Sequence, residues 1–194
     1  MKFRPDCGIK MAHVACCIMM TGKRLPPPLD ESALRDMALR HVARFATSRG
    51  KLLAYLKRKI KERGWGGEAP ADPDGLADRF VDLGYIDDAG YAVMKSGALA
   101  RRGYGARRIG EELRAAGIGE EDREQADAQI ASEAWAAADR FARRKRIGPY
   151  ATGPIDPKQR EKAIAAFLRA GHAYAVARRW VDAPPGEPMA AEDE

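Results

Sequence analysis

The chain has 194 residues, 45% hydrophobic and 32% charged; this composition argues against intrinsic disorder, and the length allows a sizeable core. The formal net charge of +6 favours partners that present phosphates or acidic protein surfaces. All three cysteines, Cys7, Cys16 and Cys17, lie near the start, which argues against a disulfide framework and predicts a reducing, cytoplasmic location. No run approaches the roughly 18 apolar residues of a membrane span, so no membrane association is expected.

The two ends of the chain differ in sequence from its body. Residues 1–25 show no helical repeat and are closed off by three prolines at 26–28, so they are predicted to be unstructured or a mis-assigned extension, with Met19 or Met20 as an alternative start. Residues 184–194 begin with two prolines and a glycine and finish as a short acidic tail. The body is therefore assigned to residues 26–183.

Within the body, apolar residues at helical spacing predict nine helices, and the first ones are the clearest. Asp30 or Ser32 is expected to cap the first helix, and Asp87, preceded by the apolar Ile86, the fourth. The second helix follows Ser48 and stops near Gly64. The inward positions are predicted to be Leu34, Met37, Ala38, His41, Val42 and Phe45; Leu52, Leu53, Leu56 and Ile60; Leu76, Ala77, Phe80, Val81 and Leu83; and Tyr91, Met94 and Ala98.

A spacing that recurs along the body indicates repetition. Placing Arg49-Gly50 over Arg102-Gly103 without gaps brings together apolar residues and a final glycine, and a third copy fits from Lys158 onward. The matched ends are Gly64-Trp65, Gly117-Ile118 and Gly171-His172. Each glycine stands where a helix end needs a left-handed backbone. The sequence therefore predicts an all-α fold of three tandem three-helix repeats, about 29–84, 85–131 and 132–183, in an elongated, curved body.

Motifs that would carry chemistry are incomplete. The glycines of Gly105-Ala-Arg-Arg-Ile-Gly110 have phosphate-loop spacing, but Glu111-Glu112 follow where lysine and a hydroxyl residue are required. Cys7, His13, Cys16 and Cys17 match no standard zinc-finger spacing, so an unstructured tail is preferred to a metal site.

Acidic and histidine residues in the body have structural interpretations. Asp87-Asp88 are expected to cap a helix and to stabilise its dipole. His41 and His172 are expected to be buried, hydrogen-bonded histidines, and no nucleophile is placed to use either. No catalytic residue and no cofactor are therefore predicted.

Basic residues recur at related places along the body and are the candidate binding site. Half of such arginines would be expected merely to form a solvated face, and Arg107–Glu111 and Arg108–Glu112 are expected to be weak pairs one helical turn apart. Together, the recurring basic residues would form an extended basic stripe suited to a long, repetitive, anionic target. The candidate binding residues are Lys57, Arg58, Arg101, Arg102, Arg107, Arg108, Arg143, Arg144, Arg178 and Arg179.

Several segments follow one another in a distinctive order over roughly residues 29–182. They are Arg44-Phe45-Ala46-x-x-Arg49, Leu53-x-x-Leu56, Arg63-Gly64-Trp65, Leu76 to Leu83, Gly84-Tyr85-Ile86-Asp87-Asp88, Tyr91-Ala92, Arg101-Arg102-Gly103-Tyr104-Gly105 and Leu168-Arg169-Ala170-Gly171-His172. Their order and spacing resemble those of the RecX regulators of RecA. Ala170-Gly171-His172 departs from the Arg-Gly-Phe often found there. The resemblance implies a monomeric, non-enzymatic protein that binds the groove of a RecA filament, with single-stranded DNA inside it, and reduces RecA ATPase and strand exchange.

Two other interpretations stay open at this point. A direct DNA-binding protein, such as a transcription regulator of helix-turn-helix units, fits the short arginine-rich helices, although no helix carries an evident base-reading pattern. A helical-repeat scaffold for another acidic protein also fits the charge. The sequence does not decide between inhibition and activation of RecA.

Overall fold

The computed structural model describes residues 27–187 and residue 189, and the helices in this part number nine, with one short 3₁₀ helix, Gly148–Tyr150. The helices are α1 Glu31–Val42, α2 Arg49–Arg63, α3 Pro73–Asp82, α4 Asp88–Arg101, α5 Ala106–Ala115, α6 Glu124–Ser132, α7 Ala134–Lys145, α8 Pro157–Arg169 and α9 Tyr174–Asp182. Among the described residues, β-pairing is limited to one isolated bridge between Leu29 and Trp65. The prediction of an all-α fold is confirmed.

Short polar side chains begin five of these helices. The caps are Asp30, Ser48, Asp72, Asp87 and Asp156, and each accepts a hydrogen bond from the backbone N–H three residues further on. This bond satisfies one of the N–H groups that a helix start leaves without a partner, and it typically contributes about 1 kcal/mol. Capping by Asp30 and Asp87 is confirmed, whereas Ser32 lies inside α1.

The predicted helix stops are also confirmed. Gly64, Gly117 and Gly171 have φ angles of +80°, +76° and +92°. These values lie in the left-handed region, where a side chain would be strained. The next residue in each case, Trp65, Ile118 or His172, is buried or half-buried. The backbone thus turns at the glycine so that the following side chain can pack.

The buried apolar side chains form three clusters in chain order. The first gathers residues of α1, α2 and α3 around Leu52, Leu56 and Phe80. The second joins α4, α5 and α6 around Ile109 and Leu113, with Ala137 of α7. The third joins α7, α8 and α9 around Phe141, Phe167 and Trp180. Each cluster therefore draws most of its residues from three consecutive helices.

Four predicted core positions are wrong, and they lie at or beyond helix ends or on an outer face. Phe45 is 56% exposed because α1 already ends at Val42. Val81 and Leu83 are 37% and 61% exposed, since Leu83 is the C-cap residue of α3 and the core there is filled by Ala77 and Phe80. Met94 is 46% exposed, on the face of α4 opposite the buried Ala92. Helical spacing identifies a face but does not tell where packing against it stops.

The gapless alignment of repeats is wrong at its N-terminal end. Arg49 and Gly50 open α2, whereas Arg102 and Gly103 lie in the connection after α4. The helix α2 has 15 residues and α5 has 10, so the two helices match at their final glycines but not at their starts. The structural counterpart of Ser48, the cap of α2, is Gly105, the first residue before α5.

The first and second clusters meet where the start of α2 touches the turn after α5. The Ser48 hydroxyl donates a hydrogen bond of 2.5 Å to the carbonyl of Ala116. The backbone N–H of Arg49 donates to the Asp88 carboxylate at 2.8 Å. A side chain on Gly117 would come within 2.9 Å of the Gly50 Cα atom, so both glycines are needed for this approach.

Candidate interaction surface

The second and third clusters meet at the connection between α4 and α5, residues 102–105. The N–H of Gly105 donates to the carbonyl of Ala170 at 2.9 Å, and the N–H of Arg107 donates to the carbonyl of Gly171 at 3.1 Å. The Nε2 atom of His172 lies 3.1 Å from the carbonyl oxygen of Gly103. This connection is the place where the structure brings predicted site residues from different helices together.

Four arginine side chains surround this connection, and we call them the junction arginines: Arg102, Arg107, Arg140 and Arg144. Arg144 donates from Nη1 to the carbonyl oxygen of Arg102, and Arg140 donates from Nη1 to that of Ala100 at 3.0 Å. Arg107 donates from Nη2 to the carbonyl of Leu168 at 2.7 Å. The Arg102 guanidinium lies 5.5 Å from the centre of the Tyr104 ring.

The ten predicted site residues differ in whether they form an ion pair with a carboxylate. Six of them have a carboxylate partner within 4.0 Å. These pairs are Lys57–Asp74, Arg58–Glu62, Arg107–Glu111, Arg108–Glu112, Arg143–Asp139 and Arg178–Asp182. The two pairs predicted within α5 are present. Most of these side chains are more than half exposed, and such surface pairs contribute little stability while neutralising the local charge.

Three predicted residues keep an uncompensated charge. Arg101, Arg102 and Arg144 are exposed, and none has a carboxylate within 4.0 Å among the described residues. Arg144 is held by a carbonyl oxygen and lies 5.4 Å from the Phe141 ring centre, so its contacts fix its position without cancelling its charge. Arg179 lies 4.6 Å from the ring centre of Trp135. The uncompensated charge thus belongs to the end of α4, the residue that follows it, and α7.

A second concentration of charge lies on α2. This helix contains seven basic residues and one acidic residue, which gives it a formal charge of +6. The complete chain holds 34 basic and 28 acidic residues, which also gives +6. The helix α2, which carries Lys57 and Arg58, therefore equals the whole chain in net charge, but acidic residues around it reduce residues 29–84 to +2, whereas residues 132–183 carry +6. The structure does not bring these two residues to the α4–α5 connection.

Arg140 belongs to the junction but was missed by sequence reasoning. It stands four residues before Arg144 on α7, so both point from one face of that helix towards the end of α4. The four-residue spacing from Arg144 is the sequence signal that could have identified Arg140. Arg140 also pairs with Glu133 at 3.6 Å, so its charge is partly compensated.

Burial perturbs two groups at the contacts between clusters. The pKa of His172 is lowered, chiefly by burial and also by the nearby Arg144, against the opposing effect of its bond to Gly103. The neutral imidazole is therefore favoured. The pKa of the Asp88 carboxyl is raised, chiefly by burial, although the backbone N–H of Arg49 stabilises its charged form. The buried, hydrogen-bonded His172 is as predicted; His41 is instead half-buried and stacks on Tyr55.

Other potential sites are limited in the described residues. Residues 27–187 and 189 hold no group of three histidine, cysteine or carboxylate side chains arranged for a metal, and Cys7, His13, Cys16 and Cys17 lie outside them. Within the same ranges, no helix is long and apolar enough to cross a membrane. A cleft between α1 and α3 is lined by Trp65 and by side chains of both charges, and its Asp72 carboxylate already caps α3.

Taken together, the helices and their charge define a basic, all-helical protein built from three-helix clusters. Residues 87–126 match the family model described as RecX, second three-helix domain, and these residues contain α4, α5 and the first part of α6. The chain is 31% identical over 172 residues to the Regulatory protein RecX of Myxococcus xanthus (strain DK1622), a match that covers 84% of this chain and 92% of that protein. The chain belongs to the RecX family.

Proposed function

We propose that this protein is a non-enzymatic regulator of homologous recombination and DNA repair that binds the filament of a RecA-type recombinase on DNA. Binding reduces the ATPase and strand-exchange activities of the recombinase. The protein acts as a cytoplasmic monomer, needs no cofactor, and reaches single-stranded DNA inside the filament. The single observation that supports this proposal best is the similarity to a regulatory protein over nearly the whole length of both chains.

The uncompensated arginines supply a physical basis for the binding. A filament presents phosphates and repeated acidic protein surfaces, and cations without carboxylate partners attract them most strongly. Arg144 of α7 donates to the carbonyl of Arg102, the residue after α4, so the positions of these two residues depend on two three-helix units at once, and Arg101 is the last residue of α4. We propose that these units correspond to residues 85–131 and 132–183, and that residues 29–84 form the first.

The test is RecA ATPase activity on single-stranded DNA with this protein added well below the RecA concentration. The wild-type protein should lower the ATPase rate, and the double variant Arg101→Glu/Arg102→Glu should lower it much less. Within residues 27–187 and 189, neither of these two side chains makes a hydrogen bond or ion pair to another cluster, so the fold should survive the change. Lys158→Glu/Lys162→Glu on α8 is the matched control, since it reverses two exposed lysines and should retain inhibition.

A direct DNA-binding role is the second candidate, and the charge of α2 favours it. In that case the protein would bind duplex DNA tightly without RecA, in a sequence-dependent way, and would leave the ATPase rate unchanged. That combination of results would contradict the recombination proposal and replace it.

A further inference from the structure

Three aromatic rings lie in a row between the end of α1 and the middle of α2, with His41 stacked on Tyr55 and Phe45 tilted by 45° against His41. The His41 ring lies 4.3 Å from the Tyr55 ring centre at an interplanar angle of 19°, and 5.2 Å from the Phe45 ring centre. His41 and Tyr55 are half-buried, while Phe45 at the outer end is 56% exposed. We call these three residues the aromatic ladder.

The exposed end of the ladder is held in place by the backbone. The helix α1 ends at Val42, and the N–H of Phe45 then donates to the carbonyl of His41 at 3.0 Å. The ring is thus held beside His41 while more than half of the residue stays exposed. Burial, with smaller effects of Arg58 and Lys51, lowers the pKa of His41, so the middle ring is neutral near pH 7. A neutral imidazole stacks as an aromatic ring.

Cations surround the ladder in a segment that lacks acidic residues. Between Arg40 and Lys61 the sequence contains eight basic residues and no aspartate or glutamate. Arg58 and Lys59 lie 5.6 Å and 5.9 Å from the Tyr55 ring centre. Glu62 pairs with both of these cations, and Asp78 and Asp74 pair with Arg49 and Lys57. Among the described residues, the other four basic side chains of the segment have no carboxylate within 4.0 Å, so a net positive charge remains beside the rings; they are Arg40, Arg44, Lys51 and Lys61.

We propose that the aromatic ladder and the cations around it form a binding surface for single-stranded nucleic acid. An unpaired base stacks on the exposed face of Phe45 and extends the ladder, while backbone phosphates lie against Arg40, Arg44 and the basic residues of α2. Exposed rings next to cations are the combination that such strands use, because every base has a face that stacks and every linkage carries a charge.

An acidic protein surface is the other macromolecule that the charge would attract, but the rings favour nucleic acid. The carboxylates of an acidic protein would bind to the cations alone, and an exposed neutral ring would add nothing to their binding. Paired bases in a duplex are already stacked on each other, so a single strand makes the better partner. Single-stranded DNA is already a partner in the proposed function, so the inference rests on that function and deepens it by naming a surface for the strand. Because this surface is separate from the α4–α5 connection and its test needs no RecA, its failure can be told apart from the failure of the proposed function.

The test measures the anisotropy of a fluorescein-labelled dT20 strand and of a 20-base-pair duplex, each titrated with the full chain. The wild-type protein should bind the single strand more tightly than the duplex. Phe45→Ala should weaken single-strand binding roughly tenfold, while Phe45→Trp should keep it, since the larger ring also stacks. Leu83→Ala is the matched control, because it removes another exposed apolar side chain and should change nothing.

Several outcomes would overturn the proposal: no binding of dT20, equal affinity of Phe45→Ala and wild type for it, or equal losses on single strand and duplex. A Phe45→Ala variant that inhibits RecA less but binds dT20 normally would show that the ladder contacts protein instead. A variant that loses dT20 binding but still inhibits RecA would support the ladder and leave the proposed function standing.

Discussion

At the scale of single residues, His172 shows how one side chain connects two helical clusters. Its ring packs 5.3 Å from that of Phe167 and 5.5 Å from that of Phe141, and its Nε2 atom reaches the carbonyl of Gly103. The side chain therefore belongs to the third core and bonds to the connection between α4 and α5. In the fold, burial favours its neutral form.

The lowered pKa of His172 makes stability depend on pH. In the unfolded chain this histidine binds a proton near its usual pKa of about 6.5, whereas in the fold it binds one only at lower pH. The unfolded state therefore gains protons first, and the contribution of His172 is lost as the pH falls through about 6.5. His172→Gln should cost about 1–2 kcal/mol near pH 7.5, and this difference should shrink towards about pH 5.5.

Urea unfolding of the wild type and His172→Gln at several pH values checks this expectation. Taking the difference between the two proteins cancels the contributions of His41 and of the carboxylates. A difference that stays constant or grows on acidification would contradict the assigned direction of the His172 pKa.

At the scale of helices, the side chain of Ser48 makes two hydrogen bonds, whereas each of the other capping side chains makes one. Its hydroxyl oxygen accepts from the N–H of Lys51 at 3.2 Å and donates its proton to the carbonyl of Ala116 at 2.5 Å. Ser48 is fully buried, so its loss would leave that carbonyl without its partner. The cap of α8, Asp156, is exposed and only accepts from the N–H of Gln159.

Replacement of these two caps should therefore have different costs. Ser48→Ala should lower the free energy of unfolding by about 2 kcal/mol, and Asp156→Ala by about 1 kcal/mol. Chemical denaturation at neutral pH measures both. Equal losses would mean that the bond from Ser48 to Ala116 contributes nothing beyond the cap.

Local signals explain which helices could be predicted from the sequence. Asp30, Asp87 and the glycines after α2, α5 and α8 act within one turn of chain, so their effects can be read from neighbouring residues. Phe45 and Leu83 were misplaced because their exposure depends on where another helix stops covering them. The gapless alignment failed before α5 because the connection that precedes this helix bonds to Ala170 and Gly171, which lie more than sixty residues away.

The candidate site was predictable as a set of charges but not as an arrangement. Lys57 is neutralised by Asp74 only because α2 packs on α3, and Arg144 finds the carbonyl of Arg102 only because α7 packs on α4. The ladder was hidden for the same reason: His41 and Phe45 share one helical face in the sequence, but Tyr55 joins them through the contact of α1 with α2.

At the scale of the whole molecule, glycines allow successive clusters to approach. Gly117 faces Gly50 between the first and second clusters, and Gly171 faces Gly105 between the second and third. Hydrogen bonds across both contacts run mainly to backbone carbonyls. Every residue has a backbone carbonyl, so these hydrogen bonds place little restriction on which side chain the accepting residue carries.

Gly117 can be compared with Gly64 to separate backbone strain from close approach. Both have positive φ, but nothing lies within 4 Å of a side chain built at Gly64. Gly64→Ala should cost about 1 kcal/mol from its backbone conformation, and Gly117→Ala at least about 1 kcal/mol more because Gly50 must move. Denaturant midpoints of the two variants decide this, and equal midpoints would contradict a tight contact at Gly117.

The charge of the third helical cluster has a consequence for the speed of encounters. Residues 132–183 hold eleven basic and five acidic residues and carry +6, whereas residues 29–84 carry only +2 because acidic residues of α1, α3 and their connections offset the charge of α2. A polyanion drifting nearby is pulled towards the third cluster and turns the protein as it arrives, so many collisions begin with that cluster foremost. Added salt should slow this capture far more than it hastens release, since screening weakens attraction at a distance before it weakens contacts already made.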